Sequence, residues 1–353
     1  MKANQMRLCL ILLFSIMVVC SGQTYFPDVP GSRTLVCDFH THTVFSDGLV
    51  WPTVRVDEAK REGLDAIAIS DHIEYQPHRE DIPTNLNRSY EIALERAKKL
   101  NVLLIKAAEI TRDTPPGHYN ALFLSDANPL VTDAFLDVIE QANLQNAFVF
   151  WNHHTWKGED RGQWTDVQTT MLQNGWLHGM EVANGGTYYP LAHQWCLEKG
   201  LTMLGNSDIH DPSIDYQYTP DKHRTLTLVF AKDRSVESIQ QALRQGCTAV
   251  WYKNQLIGRE EYLKPLFDQC ITLSGPQQTE GRTEFVLNNQ ALIDLELERA
   301  GEAGSKTIHI PACSSVTVEA AAIGAWQVKN FLVGPGEGLM IDFPAPVRRS
   351  NRD

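Results

Sequence analysis

The sequence predicts an α/β fold with a mainly parallel sheet, followed by a smaller all-β region. Short apolar runs alternate with amphipathic stretches from residue 35 to about 250, which is the pattern of strands and helices in an α/β domain. Eight such runs occur in that interval, and this number favours a closed barrel over an open sheet. After Gly258 the apolar segments become short and often alternating, which is typical of antiparallel strands.

The α/β part is predicted strand by strand from its apolar runs. These are Val36–Phe39, Ala66–Ile69, Val102–Ala107, Ala121–Leu124, Ala147–Trp151, Met180–Ala183, Leu201–Gly205 and Leu226–Ala231. Helical patterns lie at Val54–Glu62, Tyr90–Leu100 and Ser235–Gln245. An open doubly wound sheet is the alternative fold, but the sequence contains no glycine-rich dinucleotide fingerprint that would support it.

The region after Gly258 is predicted to form a connector helix at Arg259–Asp268 and a sandwich-like β domain of about 80 residues. Its predicted strands are Ile271–Ser274, Glu284–Leu287, Leu292–Glu298, Thr307–Ile310, Val316–Ala320, Val328–Val333 and Leu339–Phe343. In Leu292–Glu298 apolar and polar residues alternate with the period of two that a half-buried strand requires.

The N-terminus has the pattern of a secretory signal peptide. Lys2 and Arg7 form a basic start before a 13-residue apolar run, Leu8–Cys20, and small residues follow before Gln23. We expect cleavage before Gln23 and a periplasmic or secreted protein, with a lipoprotein anchor at Cys20 as the alternative. The predicted organisation is a signal peptide at 1–22, an α/β domain at 23–258, and the connector helix with the β domain at 259–353.

Composition excludes several classes of protein. The chain has 353 residues, of which 43% are hydrophobic, so it can bury a sizeable core. Its net charge of −12 argues against a broad electrostatic surface for nucleic acid or anionic membranes. No apolar segment of about 18 residues lies beyond the N-terminus, which excludes an internal membrane span. The cysteines show no C-x-x-C pair, so a zinc–thiolate site is excluded, although one disulfide involving Cys270 or Cys313 stays open.

Histidine is concentrated in the α/β part, where eleven of the twelve lie between residues 40 and 223. Several follow directly after a predicted strand, and in an α/β barrel this position is the rim that carries the active site. Glu109 ends the third predicted strand, where an unpaired carboxylate would be unfavourable to bury. The candidate metal ligands are His40, His42, Asp47, His72, Glu109, His118, His153, Asp208 and His210.

This set of side chains predicts a multinuclear metal site. Imidazoles mixed with carboxylates suit Zn²⁺, Mn²⁺ or Fe²⁺. Nine ligands exceed the needs of one ion, so we expect two or three divalent cations. Each position alone also fits a structural role, since Asp47 before Gly48 is a common turn sequence. The prediction therefore depends on the recurrence of these residues at strand ends.

Taken in order, the motifs resemble the PHP superfamily (polymerase and histidinol phosphatase), which comprises metal-dependent phosphoesterases. They are His40-x-His42, Ser46-Asp47-Gly48, Ser70-Asp71-His72, Glu109, Gly117-His118, Asn152-His153 and Ser207-Asp208-x-His210. The resemblance covers about residues 35–250. It implies a distorted (β/α)7 TIM-like barrel with a trinuclear site at the C-terminal ends of the strands. The β-rich tail resembles the C-terminal domain of some exported bacterial members.

The resemblance also implies a role for each ligand. A first ion would be held by His40, His42, Glu109 and Asp208. Glu109 would bridge to a second ion that is completed by His118 and His153. A third ion would be held by Asp47, His72 and His210. The family often has proline after the Asn-His pair, where this chain has His154, so His154 is the alternative to His153.

The predicted activity is hydrolysis of a small phosphate monoester or diester by a metal-activated hydroxide. Asp208 and His210 are candidates for proton transfer to the leaving group. Arg112, Lys157 and Arg224 are rim-loop cations that could hold a phosphate, the alternative being solvated surface charges. A metal-dependent amide or lactone hydrolase and an inactive exported binding protein are the competing functions. A nucleic-acid partner is not expected.

Overall fold

The structure is a computed structural model. It describes residues 25–82, 85–214, 218–301, 306–319 and 324–343. The predicted signal peptide at 1–22, including Cys20, therefore lies outside the described residues.

The first part of the chain alternates strands and helices as predicted. Its elements are β1 (Arg33–Asp38), α1 (Pro52–Arg61), β2 (Ala66–Ile69), α2 (Arg88–Leu100), β3 (Leu103–Ile110), β4 (Tyr119–Leu122), a 3-10 turn (Asn128–Leu130), α3 (Phe135–Leu144), β5 (Phe148–Trp151), α4 (Asp166–Gln173), β6 (Gly179–Asn184), β7 (Thr187–Tyr188), α5 (Pro190–Lys199), β8 (Thr202–Asn206), β9 (Leu226–Ala231), α6 (Val236–Arg244), β10 (Thr248–Tyr252) and β11 (Gln255–Gly258). Each of the eight predicted apolar runs overlaps one of these strands.

The sheet is mixed, because some neighbouring strands are parallel and others are antiparallel. Strands β1, β2 and β3 are parallel, as are β5, β6 and β8, whereas β4 is antiparallel to both β3 and β5. The start of β4 therefore lies at the edge where the parallel strands end. The sheet curves back on itself at this edge, because Thr41 after β1 forms a parallel bridge with Ile209 after β8. We call this edge the rim.

The strands are buried on both faces, which explains their continuous apolar runs. All four residues of β2 and all four of β5 are buried. Phe39, Phe148, Phe150 and Leu204 are fully buried in one apolar cluster. This packing holds the strand ends at the rim in fixed positions, since close-packed interiors resist displacement.

The described residues of the C-terminal region form one helix and seven strands. They are α7 (Glu260–Cys270), β12 (Ile271–Thr279), β13 (Arg282–Asn289), β14 (Leu295–Arg299), β15 (Thr307–Ile310), β16 (Ser315–Glu319), β17 (Gly324–Gly334) and β18 (Glu337–Phe343). Strands β12, β13 and β16 form a small antiparallel sheet. The alternation predicted for β14 is present, because Leu295 and Leu297 are buried and Glu296 is exposed.

The two parts of the chain share one sheet, which the sequence did not predict. Strand β17 pairs in parallel with β11, with Leu256 opposite Phe331, and this pairing joins β14, β15, β17 and β18 to the α/β part. Trp251 and Trp326 also belong to the same apolar cluster. The β region is therefore continuous with the α/β part in hydrogen bonding and in packing.

The described part of the chain contains no disulfide and no candidate membrane helix. Cys270 is buried and Cys313 half-buried, and neither forms a disulfide among the described residues. None of the described helices combines the length and the apolar character needed to cross a bilayer.

Candidate metal centre

All nine predicted ligands lie on the rim. In chain order they follow β1 (His40, His42), lie in the loop before α1 (Asp47), follow β2 (His72), lie near the end of β3 (Glu109), precede β4 (His118), follow β5 (His153) and follow β8 (Asp208, His210). His118 is the one that comes directly before a strand, and the antiparallel orientation of β4 places it at the same edge as the other eight.

The loop that carries Asp47 is folded tightly against the end of β1. The Asp71 carboxylate accepts a hydrogen bond from the backbone N–H of Thr43 at 2.7 Å. The N–H of Gly48 donates to the carbonyl of Thr43 at 3.0 Å. A Cβ atom at Gly48 would lie 2.5 Å from the carbonyl carbon of His42. Glycine is therefore needed here because two stretches of backbone approach closely.

The first group of ligands consists of His40, His42, Glu109 and Asp208. Nε2 of His40 lies 3.2 Å from Oε2 of Glu109 and 3.1 Å from Oδ1 of Asp208. Nε2 of His42 lies 3.3 Å and 3.0 Å from the same two oxygens. Two atoms that each lie about 2.1 Å from one ion are separated by about 3.4 Å in tetrahedral geometry. The four side chains are thus spaced as ligands of one cation.

The second group uses the other oxygen of Glu109. Oε1 of this residue lies 3.0 Å from Nδ1 of His118 and 3.5 Å from Nε2 of His153. It also accepts a hydrogen bond from the side-chain amide of Asn152 at 3.0 Å. Glu109 is fully buried, and its two oxygens face two different sets of imidazoles. This arrangement fits a carboxylate that bridges two cations.

The third group surrounds Asp47. Its Oδ1 lies 3.2 Å from Nε2 of His210 and 3.5 Å from Nε2 of His72. That oxygen is buried and accepts no well-aligned hydrogen bond from the described residues. His42 connects this group with the first, because its ring stacks on that of His210 with centroids 4.2 Å apart. The third group is the most exposed, since the side chain of His210 is 34% accessible.

A tenth side chain, Glu181, contacts two of the ligand residues, and it is not among the residues predicted from the sequence. Its Oε1 lies 2.9 Å from Nδ1 of His40, and its Oε2 accepts the backbone N–H of His153 at 2.9 Å. A carboxylate that receives Nδ1–H of a histidine orients the ring and leaves Nε2 free for a metal. Glu181 lies within the apolar run Met180–Ala183, the same signal that identified Glu109.

The electrostatics of the cluster favour positive charge at its centre. Burial raises the pKa of Glu109, but His72 and His40 outweigh it and hold that pKa well below its usual range. The pKa of Asp208 is lowered in the same way, with His40 as its main attractive partner. Burial lowers the pKa of His42, which keeps this imidazole in the neutral form that binds metals. The carboxylates are therefore ionised and attract either protons or cations.

The donor set fits divalent metal ions. The side chains form four overlapping sets of three or four residues whose ligand atoms lie within 4.8 Å of one another. All donors are imidazole nitrogens and carboxylate oxygens, which suit Zn²⁺, Mn²⁺ and Fe²⁺. The buried Oδ1 of Asp47 accepts no well-aligned hydrogen bond from the described residues, so it is free to bind a cation. None of the described ligand sets includes a residue from the C-terminal β region.

A cavity of about 620 Å³ lies against the cluster. Six cluster members line it, namely Asp47, His72, His118, His153, Asp208 and His210. Three aromatic side chains also line it, namely Tyr75, Trp156 and Tyr189. Two of them are unusually accessible, with Tyr75 53% and Trp156 50% exposed. Volumes of about 300–1,000 Å³ are typical of small-molecule sites.

Two of the three predicted substrate-binding cations lie at this cavity. Arg112 lines it, forms an ion pair with Glu74 and donates to the carbonyl of Thr132 at 2.8 Å. Lys157 lines it as well, and its Nζ lies 2.6 Å from the carboxylate of Asp113. Both cations are therefore held in place at the cavity by a neighbouring acid.

The prediction for Arg224 is wrong. Its side chain is only 6% accessible, it does not line the cavity, and it forms ion pairs with Glu62 at 2.6 Å and with Asp38 at 3.3 Å. A guanidinium enclosed by carboxylates is held inside the protein by them. The sequence gives no indication of this, because both partners lie more than 150 residues away.

The two adjacent histidines His153 and His154 face different environments. His153 points to the cluster, with Nε2 3.6 Å from the carboxylate of Asp208. His154 is buried between Trp151 and Trp195, and its Nδ1 lies 2.7 Å from the carbonyl of Gly162. The geometry thus favours His153 as the ligand.

This difference predicts opposite effects of replacing each histidine with Gln. His153→Gln is expected to reduce the metal bound per chain, because it removes one imidazole from the second group. His154→Gln is expected to retain the metal and to lose about 1–3 kcal/mol of stability, since the Gly162 carbonyl loses its buried donor. Elemental analysis and thermal unfolding of both variants measure the two effects. Loss of metal from His154→Gln alone would reverse the assignment.

Comparison with known proteins identifies relatives of this chain. A family model described as PHP domain matches residues 38–304. A crystal structure from Bacteroides vulgatus ATCC 8482 is described as a two-domain protein containing a predicted PHP-like metal-dependent phosphoesterase. It is 44% identical to this chain, covers 90% of this chain and 96% of its own, and superimposes with a TM-score of 0.85. An uncharacterised protein of Methanocaldococcus jannaschii is 39% identical over 80 residues, which are 22% of this chain and 34% of that protein.

Proposed function

This chain belongs to the PHP family, and from this premise we propose that it is a metal-dependent hydrolase of small phosphate esters. One observation carries the proposal. Both oxygens of a single buried carboxylate, Glu109, face five imidazoles at distances of 2.9 to 3.5 Å. Such a concentration of ligands at the base of a cavity is what phosphoester hydrolysis by several cations requires.

The residues of the chain would have separate roles in the reaction. The first, second and third groups would each hold a divalent ion. When bound, such ions lower the pKa of water and neutralise phosphate charge. Arg112 and Lys157 would orient the phosphate by hydrogen bonds from the cavity wall. Asp208 and His210 would act as ligands in the first and third groups, so we assign proton transfer to the leaving group to a water molecule held beside this pair.

Hydrolysis of an amide or a lactone is the competing activity, because the same ligands activate water for attack on carbon. The two cations in the cavity wall favour a substrate that carries negative charge. An inactive binding protein would not need to keep all nine ligands within contact distance, so the complete cluster supports an enzyme.

We also propose that the protein is exported and acts on a small substrate. The basic start and the apolar run Leu8–Cys20 support export. The net charge of −12 supports a small substrate over nucleic acid. Sequencing the N-terminus of the mature protein tests the first point. Cleavage before Gln23 agrees with a signal peptide. A mature N-terminus at a lipid-modified Cys20 agrees instead with the lipoprotein anchor.

The activity is tested with the purified protein, loaded with Mn²⁺ or Zn²⁺, against matched aryl esters. The panel contains an aryl phosphate monoester, an aryl phosphate diester, an aryl amide and a lactone. We expect turnover of at least one phosphate ester, with loss of that activity after chelation and recovery when metal is returned. Turnover of the amide or lactone without turnover of either phosphate ester would contradict the proposal. The ratio of monoester to diester turnover defines the preferred substrate.

A further inference from the structure

Five charged side chains are buried together beneath the rim. They are Asp38, Arg55, Glu58, Glu62 and Arg224, and we call them the ionic network. The side chain of Arg55 is fully buried and its Nη1 lies 2.6 Å from Glu58. Removing so many charges from water is costly, and a buried ion pair often contributes no more stability than apolar residues of similar size. Their presence therefore calls for a role other than stability alone.

The ionic network is attached to the loop that carries two predicted ligands. We define this ligand loop as residues 207–213, which include Asp208 and His210. Asp38 accepts the hydroxyl of Ser207 at 2.6 Å, at the start of the loop. Glu58 accepts the backbone N–H of Ser213 at 2.8 Å, at its end. Both ends of the ligand loop are thus held by buried carboxylates.

Arg55 holds the middle of the ligand loop and connects it to β1. Its guanidinium donates to three successive carbonyls, those of Ile209 at 3.0 Å, His210 at 2.7 Å and Asp211 at 2.9 Å. Its Nε donates to the carbonyl of His42 at 2.8 Å. Because guanidinium is planar and rigid, its donors fix the relative positions of their acceptors. One side chain therefore sets the spacing between His42 and the ligand loop.

The backbone of the ligand loop requires such support. Asp208 has φ = 54°, in the left-handed region that residues other than glycine rarely occupy. Backbone conformations of this kind persist only when the surrounding structure determines them strongly. The N–H of Asp208 donates to the carbonyl of His40 at 2.9 Å, and Arg55 holds the next three residues.

We propose that Arg55 is a positioning residue that preforms the metal cluster by fixing the ligand loop against the end of β1. It touches no ligand side chain and acts through the backbone of His42 and His210, which belong to the first and third groups. The proposal rests on the proposed metal-dependent function, since it assigns Arg55 a role at the same cluster. It goes beyond that function because it assigns control of metal affinity to Arg55, which is not itself a ligand.

The test is Arg55→Lys, which keeps the charge next to Glu58 but lacks the planar fork. We expect the concentration of free Mn²⁺ or Zn²⁺ at half-saturation to rise by at least about tenfold, as for other residues that orient metal ligands. Phosphoesterase activity should recover towards the wild-type value at saturating metal. The matched control is Arg259→Lys, because Arg259 donates to the carbonyls of Cys196 and Leu201, on the side of the sheet opposite the rim. It should bind metal as the wild type does.

Three outcomes decide between the explanations. Wild-type metal affinity in Arg55→Lys would overturn the inference and leave the proposed function intact. Equal weakening in Arg55→Lys and Arg259→Lys would overturn it in favour of general loosening of the fold. A wild-type protein that binds no divalent metal would overturn the proposed function and the inference together. If Arg55→Lys does not fold, Glu58→Gln replaces it, because Glu58 pairs with Nη1 of Arg55 at 2.6 Å and accepts the backbone N–H of Ser213 at 2.8 Å. The same loss of affinity is expected, and the same contrary results apply.

Discussion

Replacing Glu109 with Gln is expected to lower phosphoesterase activity by more than about a hundredfold, the upper end of the effect found for residues that only support a metal ligand. Glutamine keeps the size of the side chain but carries no charge. Glu109 is the carboxylate that faces both the first and the second group of ligands, so both should bind metal more weakly. A bridging carboxylate also fixes the distance between two cations, which is about 3.5–4 Å in two-metal sites.

The measurement is metal per chain together with kcat/KM for the best phosphate ester of the panel. His178→Ala is the control for the loss of a polar side chain in the same domain. His178 lies away from the cluster, accepts the backbone N–H of Val149 at 3.0 Å and stacks on Phe148. Burial lowers its pKa to about 4, so it is neutral and structural. A Glu109→Gln protein with normal metal content and a normal rate would exclude the bridging role.

The strands and the position of most candidate ligands at the rim were predictable because each leaves a local signal. A strand that is buried on both faces must be apolar along its length, and β2 and β5 are examples. A histidine or carboxylate directly after such a run lies at the rim, as His72 and Glu109 do. This rule accounts for the ligands that end or follow a strand, but not for His118, which precedes β4. The pairing of His40 with His42 follows from the period of a strand.

Other features have no local signal. An apolar run does not show whether its strand lies parallel or antiparallel to its neighbours. The antiparallel orientation of β4 could therefore not be predicted from composition. The pairing of β11 with β17 joins segments about 70 residues apart, and the alternation within β17 does not specify its partner. Arg224 precedes β9 in a polar stretch, which is typical of a surface loop. Its carboxylate partner Asp38 is brought to it by the antiparallel pairing of β9 with β1, and the two segments lie far apart in the sequence.

Glu181 is a different case, because its signal was present in the sequence. A glutamate inside the apolar run Met180–Ala183 is as unfavourable to bury as Glu109. The role of Glu181 differs from that of Glu109 because the two residues lie at different positions along their strands. Glu181 lies within β6, below the rim, whereas Glu109 is close to the end of β3. A carboxylate at a strand end can reach a metal directly, and one further down the strand can reach only the ligands.

Replacing Glu181 with Gln is therefore expected to weaken metal binding by about 10–100-fold, the range for residues that orient a metal-bound histidine. All four neighbours of its carboxylate are donors. Oε1 faces Nδ1 of His40 and the amide of Asn206 at 3.0 Å, and Oε2 faces the N–H of His153 and the amide of Asn184 at 2.8 Å. A glutamine NH₂ group placed at either position faces donors only, so His40 loses the contact that fixes its tautomer or His153 loses its backbone bond.

The experiment compares Glu181→Gln with Asp65→Asn by competition for Zn²⁺ with a chelator and by thermal unfolding. Asp65 is also a carboxylate that accepts a backbone hydrogen bond, from Val36 at 3.0 Å, but it precedes β2 and lies at the end of the sheet opposite the rim. Both variants should lose stability, because each leaves a backbone donor with a poorer partner. Metal affinity should fall only in Glu181→Gln. Wild-type metal affinity in both variants would mean that Glu181 contributes only to the stability of the fold. The orientation of the His40 ring would then be set by the bound metal alone.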